Sequence, residues 1–180
     1  MNPLSKAIAI SAQAHLNDVD KGGNAYILHP LRLMSHMHSD EEKMTAVLHD
    51  VVEDHLHEGW TFDRLLAEGI PQVVIDALKC VTKTHEDEDY TDFIKRAAAN
   101  PIAKKVKIAD LEDNMNMLRF KELSDKDLAR LKKYHLHWMG TILQVHQNYF
   151  LRARSCIAYH QIPDTVKFPE QRSPLHKRWV

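Results

Sequence analysis

From Ser39 onward, Met44, Val47, Leu48, Val51 and Val52 recur at the i, i+3, i+4, i+7, i+8 spacing of a buried helical stripe. Ser39-Asp40-Glu41-Glu42 before it fits a capping box, with the Ser39 hydroxyl meeting a free N–H of the first turn and Glu42 reaching back. The pattern predicts a helix that continues through this stripe. Upstream, an Ala-, Ile- and Leu-rich run from Leu4 to about Asn17 predicts a first helix that stops at the turn-like Lys21-Gly22-Gly23-Asn24. His29-Pro30 opens a second, with Pro30 in the first turn, where its missing N–H costs nothing, and an end near Met37.

Downstream, Thr61 caps a short helix through Leu66, and Pro71 starts another carrying Val73, Val74, Ala77, Leu78 and Val81. The acidic run from His85 to Asp89 predicts a loop, and Asn100-Pro101 divides a helix over 90–99 from one over 101–112. Ser124-x-x-Asp127 caps a long helical segment, bent near Gly140 and continuing toward Tyr159, with an irregular tail from Ile162. The fold class is all-α.

Composition agrees with this. Hydrophobic residues make up 44% and charged residues 27%, with 5 Gly and 7 Pro, too few turn-formers for a β-sandwich. A length of 180 residues suits one globule. Net charge is −1, so no global basic field gathers nucleic acid or anionic membrane. The N-terminus lacks a long apolar stretch, and no segment approaches the roughly 20 apolar residues of a span, so a soluble cytoplasmic protein without membrane or nucleic-acid partners is expected. Cys80 and Cys156 read as buried free thiols.

The chemistry gathers in Leu48-His49-Asp50-Val51-Val52-Glu53-Asp54. At about 100° per residue, His49, Asp50, Glu53 and Asp54 share the helix face opposite the apolar stripe. A solvated face would usually alternate carboxylates with Lys or Arg; here there is none, and a divalent cation would neutralise the cluster. His29 and Asp110 are further candidate ligands, although a lone His or Asp at such positions is more often a cap or a satisfied structural group. Two imidazoles and two carboxylates without a thiolate suit Mn²⁺, Fe²⁺, Zn²⁺ or Mg²⁺ rather than a structural zinc site.

Four strings occur in the order and approximate spacing of RelA/SpoT-type HD hydrolase domains: His15…Lys21-Gly22-Gly23-Asn24-Ala25-Tyr26-Ile27-Leu28-His29-Pro30, Leu48 to Asp54, Val81-Thr82-Lys83, and Val106-Lys107-Ile108-Ala109-Asp110…Asn114-Met115. The chain resembles that family over roughly residues 5 to 135. The resemblance implies a compact helical HD bundle in which His29, His49, Asp50 and Asp110 hold one Mn²⁺. Glu53 would then be the catalytic carboxylate that accepts the proton of an activated water, with Asp54 assisting. It implies Lys21 as a phosphate contact and Asn114 as a nucleotide contact, with Tyr26, Lys83 and Tyr90 as further substrate-side candidates.

The reaction implied is removal of the 3′-pyrophosphate of ppGpp or pppGpp, giving GDP or GTP and pyrophosphate, by a small stand-alone form. Two departures bear on substrate. Asp20 stands where the family often has the Arg that stacks on guanine, and Leu111 where an Arg follows the metal-binding Asp. They keep open another phosphorylated nucleotide, such as the 2′-phosphate of NADPH, a dinucleotide or a nucleoside monophosphate. A non-catalytic nucleotide sensor is an alternative of another class. Residues 1–139 are expected to form the HD domain. Residues 140–180, with His146, Tyr149, Phe150, Arg152, Arg154 and Trp179, should add a packing or dimerisation extension to the same globule, a homodimer being one arrangement; Arg152 or Arg154 could instead supply missing positive charge.

Overall fold

A computed structural model describes residues 2–85, 87–119 and 122–157. Residues 1–145 form one compact unit and 146–180 a second, of which 146–157 are described, as the end of a helix. Among the described residues there is no strand; one isolated antiparallel bridge joins Val19 and Ala25.

Several helices begin where a side chain satisfies free N–H groups of the first turn. In α1 (Pro3–Ala14) Asn2 Oδ1 accepts from Leu4 N at 2.9 Å, and Ala7, Ile10 and Ala14 face inward. The helix ends earlier than the Ala-rich run predicts, because His15 and Asp18 leave it to form side-chain contacts of their own. α2 (Leu28–Ser35) also stops short of Met37. α3 (Asp40–Leu48) starts with the predicted capping box of Ser39 and Glu42.

The stripe that begins in α3 does not belong to one continuous helix. The backbone turns at Asp50 (φ −100°, ψ −9°), and α4 (Val51–His55) is a separate short segment followed by a 3₁₀ turn at Leu56–Glu58. Burial follows the stripe across the break nonetheless: Val47, Leu48, Val51 and Val52 all lie in the core. Packing demand therefore survives a change of local geometry. Each fully buried Leu or Val contributes about 1.5–3 kcal/mol.

α5 (Phe62–Ala67) is capped by Thr61, whose Oγ1 accepts from Arg64 N at 3.1 Å. α6 (Gln72–Val81) follows Pro71 and buries Val74, Ile75, Ala77, Leu78 and Val81, whereas Val73, read above as part of its apolar face, is exposed. On the helical wheel Val73 lies about 100° from Val74, at the solvent edge of the buried arc. α7 (Tyr90–Ala99) is capped by Asp89, and α8 (Pro101–Asn114) by Asn100, with Pro101 at its first position. A second 3₁₀ turn at Met117–Arg119 precedes α9 (Asp125–Ile157), which runs through Gly140 without interruption. The expected tail from Ile162, and Trp179 in it, lie outside the described residues, as do the side chains of His146, Tyr149, Phe150, Arg152, Arg154 and Cys156. Cys80 is half-buried rather than buried, and its thiol is pushed up by desolvation.

In the first unit α3 packs against α1, α2, α6 and α8. This central position brings its C-terminal end, at His49 and Asp50, beside α2 and α8, which carry His29 and Asp110. No helix among the described residues is long and apolar enough to cross a membrane.

Candidate metal centre

In a regular helix adjacent side chains diverge by about 100°. The turn at Asp50 undoes that divergence, so His49 Nε2 and Asp50 Oδ2 lie 2.9 Å apart. From α8, Asp110 Oδ1 comes within 3.8 Å of His49 Nε2 and 3.4 Å of His29 Nε2; Asp50 Oδ2 is 4.0 Å from His29 Nε2. Ligand atoms of His29, His49 and Asp110 all lie within 4.8 Å of one another, and all three residues are buried.

The donor chemistry fits a cation. His49 Nδ1 donates to the Ala46 carbonyl at 2.9 Å, which leaves the lone pair on Nε2. That atom is buried without a hydrogen-bond partner, although two carboxylates stand nearby. His29 Nδ1 likewise lies 2.7 Å from Asp113 Oδ2, turning its Nε2 toward Asp110 and Asp50. Two lone pairs aimed at two carboxylates repel unless positive charge sits between them. Without a metal, protons take that role. Burial pushes the His29 imidazole down, but hydrogen bonds to Asp110 and Asp113 outweigh it and lift it to about 9. His49 also rises against its burial, driven by Asp50.

The carboxylates are held by their own partners. Burial would raise Asp110, yet Lys107 and His29 hold it well below the usual carboxylate range. Lys107 Nζ binds Asp110 Oδ2 at 2.7 Å, and Asn114 Nδ2 donates to Oδ1. Asp50 is likewise held low against burial, chiefly by His49, and accepts the Tyr26 hydroxyl. Burial and Asp50 push the Tyr26 phenol far above its ordinary value, so it stays a hydrogen-bond donor.

Glu53 and Asp54 are exposed on α4 at the rim of this centre. They share a cavity of about 260 Å³ with Asp50, Asp110, Lys83 and Tyr90. Glu53 Oε2 accepts from Lys83 N at 3.0 Å. Although Asp54 is exposed as a residue, desolvation of its carboxyl on the cavity wall, with Asp50 and Glu53 nearby, pushes it up to about 6. Tyr90 heads α7, with its ring 4.7 Å from that of His137 and its phenol pushed up to about 12 by desolvation.

A second cavity of about 210 Å³ lies on the other side of Tyr26, lined by His29, Asn114, Lys21 and two arginines, Arg119 and Arg130. Neither arginine belongs to the motifs that carry the resemblance. Arg119 Nη1 is 3.0 Å from Asp113 Oδ2 while its Nε is buried without a partner. Asp20 turns its carboxylate into its own loop, accepting from Gly22 N at 2.8 Å and Asn24 N at 2.9 Å, with Gly23 at φ +83° completing the turn. Leu111 is 1% exposed, in the interior. Sequence reasoning also passed over Asp113 and Lys107 as partners of the centre. Their spacing of three residues from Asp110 on one helix, which puts all three on one face, was the available signal.

No protein-family model matches the chain. Over 128 residues it is 27% identical to a protein described as a probable GTP pyrophosphokinase from Mycobacterium leprae, a match covering 65% of this chain. The chain spans 16% of that relative's length. Its fold is similar to a solved structure described as a metazoan ortholog of SpoT that hydrolyzes ppGpp and plays a role in starvation responses. The TM-score is 0.65 at 20% identity, covering 86% of this chain and 96% of the other. The chain thus shares the all-α fold of that structure, and its similarity to these two proteins is seen in sequence and in fold.

Proposed function

We propose that this chain is a metal-dependent phosphohydrolase that removes the 3′-pyrophosphate of guanosine alarmones. The observation that carries the reading is the meeting of His29, His49 and Asp110 ligand atoms at one buried point, with Asp50 beside the two imidazoles, between a carboxylate-rimmed cavity and a cationic one. These three and Asp50 would hold the divalent cation; Mn²⁺ suits two imidazoles and two carboxylates. When bound, such an ion acidifies water and draws charge from the phosphoryl group.

Glu53 accepts a proton from the attacking water, and its Oε2 is steadied by the Lys83 backbone N–H. The water oxygen bonds to the phosphorus next to the ribose 3′-oxygen, that P–O bond breaks, and Asp54 returns a proton to the departing oxygen. Lys21, Arg119 and Arg130 neutralise the phosphates in the second cavity, and Asn114 orients the nucleotide. Tyr26 keeps Asp50 in place through its hydroxyl.

One observation favours a second reading. With Asp20 tied into its loop and Leu111 buried, neither supplies a cation for the base side. Arg119 offers guanidinium charge from a different position, which also suits a differently placed phosphate, such as the 2′-phosphate of NADPH. The test is anion-exchange chromatography of ppGpp incubated with protein and Mn²⁺, with Asp50→Ala as control. GDP and pyrophosphate from the wild type alone support the alarmone reading. Intact ppGpp alongside release of phosphate from NADPH would replace it with the second, and nucleotide binding without any turnover would make the chain a sensor.

A further inference from the structure

We propose that His15, Asp18 and His55 form a second metal site, separate from the first and suited to a borderline divalent ion such as Zn²⁺. The three ligand atoms already meet. His15 Nδ1 lies 2.8 Å from Asp18 Oδ2, His55 Nε2 lies 2.9 Å from the same oxygen, and the two nitrogens are 3.0 Å apart. His15 and His55 are 2% and 5% exposed, so water does not solvate the two rings.

No arrangement of protons suits this triangle. If both facing nitrogens carry hydrogens for Asp18, two N–H groups abut at 3.0 Å, and the far lone pairs, on His15 Nε2 and His55 Nδ1, are left buried without hydrogen-bond partners. If only one carries a hydrogen, the other nitrogen turns its lone pair on the carboxylate from less than 3 Å. Double protonation would put two cations in contact, and burial already pushes the His15 imidazole down. A cation accepts all three lone pairs at once and frees the far nitrogens to carry hydrogens, that of His55 toward Glu58 Oε1 at 3.3 Å.

Two imidazoles and one carboxylate make a borderline set that favours Zn²⁺ over Mg²⁺ or Ca²⁺. Bonds of about 2.0–2.1 Å would open the triangle by only a few tenths of an ångström. Asp18 has 38% of its side chain exposed, which leaves a route for entry and a fourth position for water.

The three ligands come from the end of α1, the loop after it and the end of α4. Bound metal would therefore pin the 18–26 segment, which carries Lys21 and Tyr26. The Tyr26 ring lies 4.7 Å from His15 and 5.6 Å from His29, between the two sites. The role is structural positioning, since none of the three ligands touches the first centre's ligand atoms.

The test is metal stoichiometry. The 180-residue chain stripped with chelator and dialysed against Zn²⁺ should hold two ions per chain by mass spectrometry. His55→Ala should hold one, and the Asp50→Ala, Asp110→Ala double variant should also keep one. Co²⁺ should give visible absorption in that double variant, and the bands should vanish when His55→Ala is added. If His55→Ala disturbs folding by circular dichroism, Asp18→Ala, at a more exposed position, must lose the same ion. An Asp18→Ala protein holding as much zinc as wild type, or a double variant holding none, would overturn the proposal without touching the reading of the first centre.

Discussion

Nδ1 of His29 lies 2.7 Å from Oδ2 of Asp113, and the same carboxylate receives Arg32 Nε at 2.7 Å and Arg119 Nη1 at 3.0 Å. Asp113 thus fixes the imidazole that faces the candidate metal centre while two guanidiniums fix Asp113. Burial would raise its carboxyl, but these partners hold it far below the usual range. Removing such an outer partner typically costs about 10–100-fold in metal affinity. Asp113→Ala should therefore bind Mn²⁺ about 10–100-fold more weakly in a chelator competition, with Asp113→Asn in between. Unchanged affinity would show that His29 is positioned by its own helix.

The crowding of lone pairs and carboxylates around His49 predicts that a cation stabilises the fold. At a free concentration of 100 times Kd, Mn²⁺ should add about 2.7 kcal/mol to the stripped protein. The rise in Tm should disappear in Asp50→Ala and in Asp110→Ala. A rise that persists in both would place the Mn²⁺ elsewhere.

Glu53 is exposed and has no atom among the ligands that converge on the centre, so it can be neutralised without dismantling it. Glu53→Gln should keep Mn²⁺ affinity and lose at least about 100-fold in kcat on whichever nucleotide is turned over, the usual weight of a general base. Equal kcat would remove Glu53 from proton transfer and leave Asp54 as the acceptor.

Arg119 tests the cationic cavity. A charge-assisted hydrogen bond is worth about 1.5–3 kcal/mol, so Arg119→Ala should raise the nucleotide KM by about tenfold or more. Because Arg119 also touches Asp113, Mn²⁺ affinity is measured in parallel, and a loss confined to the metal would assign Arg119 to positioning alone.

Away from the site, Glu42 closes the capping box of α3 and pairs with Lys105. Burial pushes its carboxyl up, but Lys105 and the His38 and Ser39 N–H groups outweigh that and hold it below 4.5. A depressed carboxyl stabilises the fold above its unfolded pKa, and the gain is lost as pH falls through the folded value. Lys105 is half-exposed, so solvent screening keeps the effect small. Glu42→Gln should cost about 1 kcal/mol at pH 7 in denaturant melts, and the difference should close only below pH 4.5. A difference independent of pH would assign the loss to packing.

Local rules determined most helix starts in this chain. Asn100-Pro101, Thr61 and the Ser39–Glu42 pair act within a few residues, so a linear reading finds them, and the apolar stripe of Met44 to Val52 identified the core. His29, His49, Asp50 and Asp110 could be named as candidates because motif order survives in the chain even where base-side cations do not, and ligand atoms of three of them, His29, His49 and Asp110, meet in the fold. Three features needed the tertiary structure. The turn at Asp50 arises where packing on both sides overrides helical propensity, and it alone lets neighbouring side chains meet. Arg119 reaches the cavity from a 3₁₀ turn whose direction no periodicity encodes. His55 meets His15 across forty positions of sequence, through the docking of α4 against α1, and such through-space encounters leave no trace in local spacing.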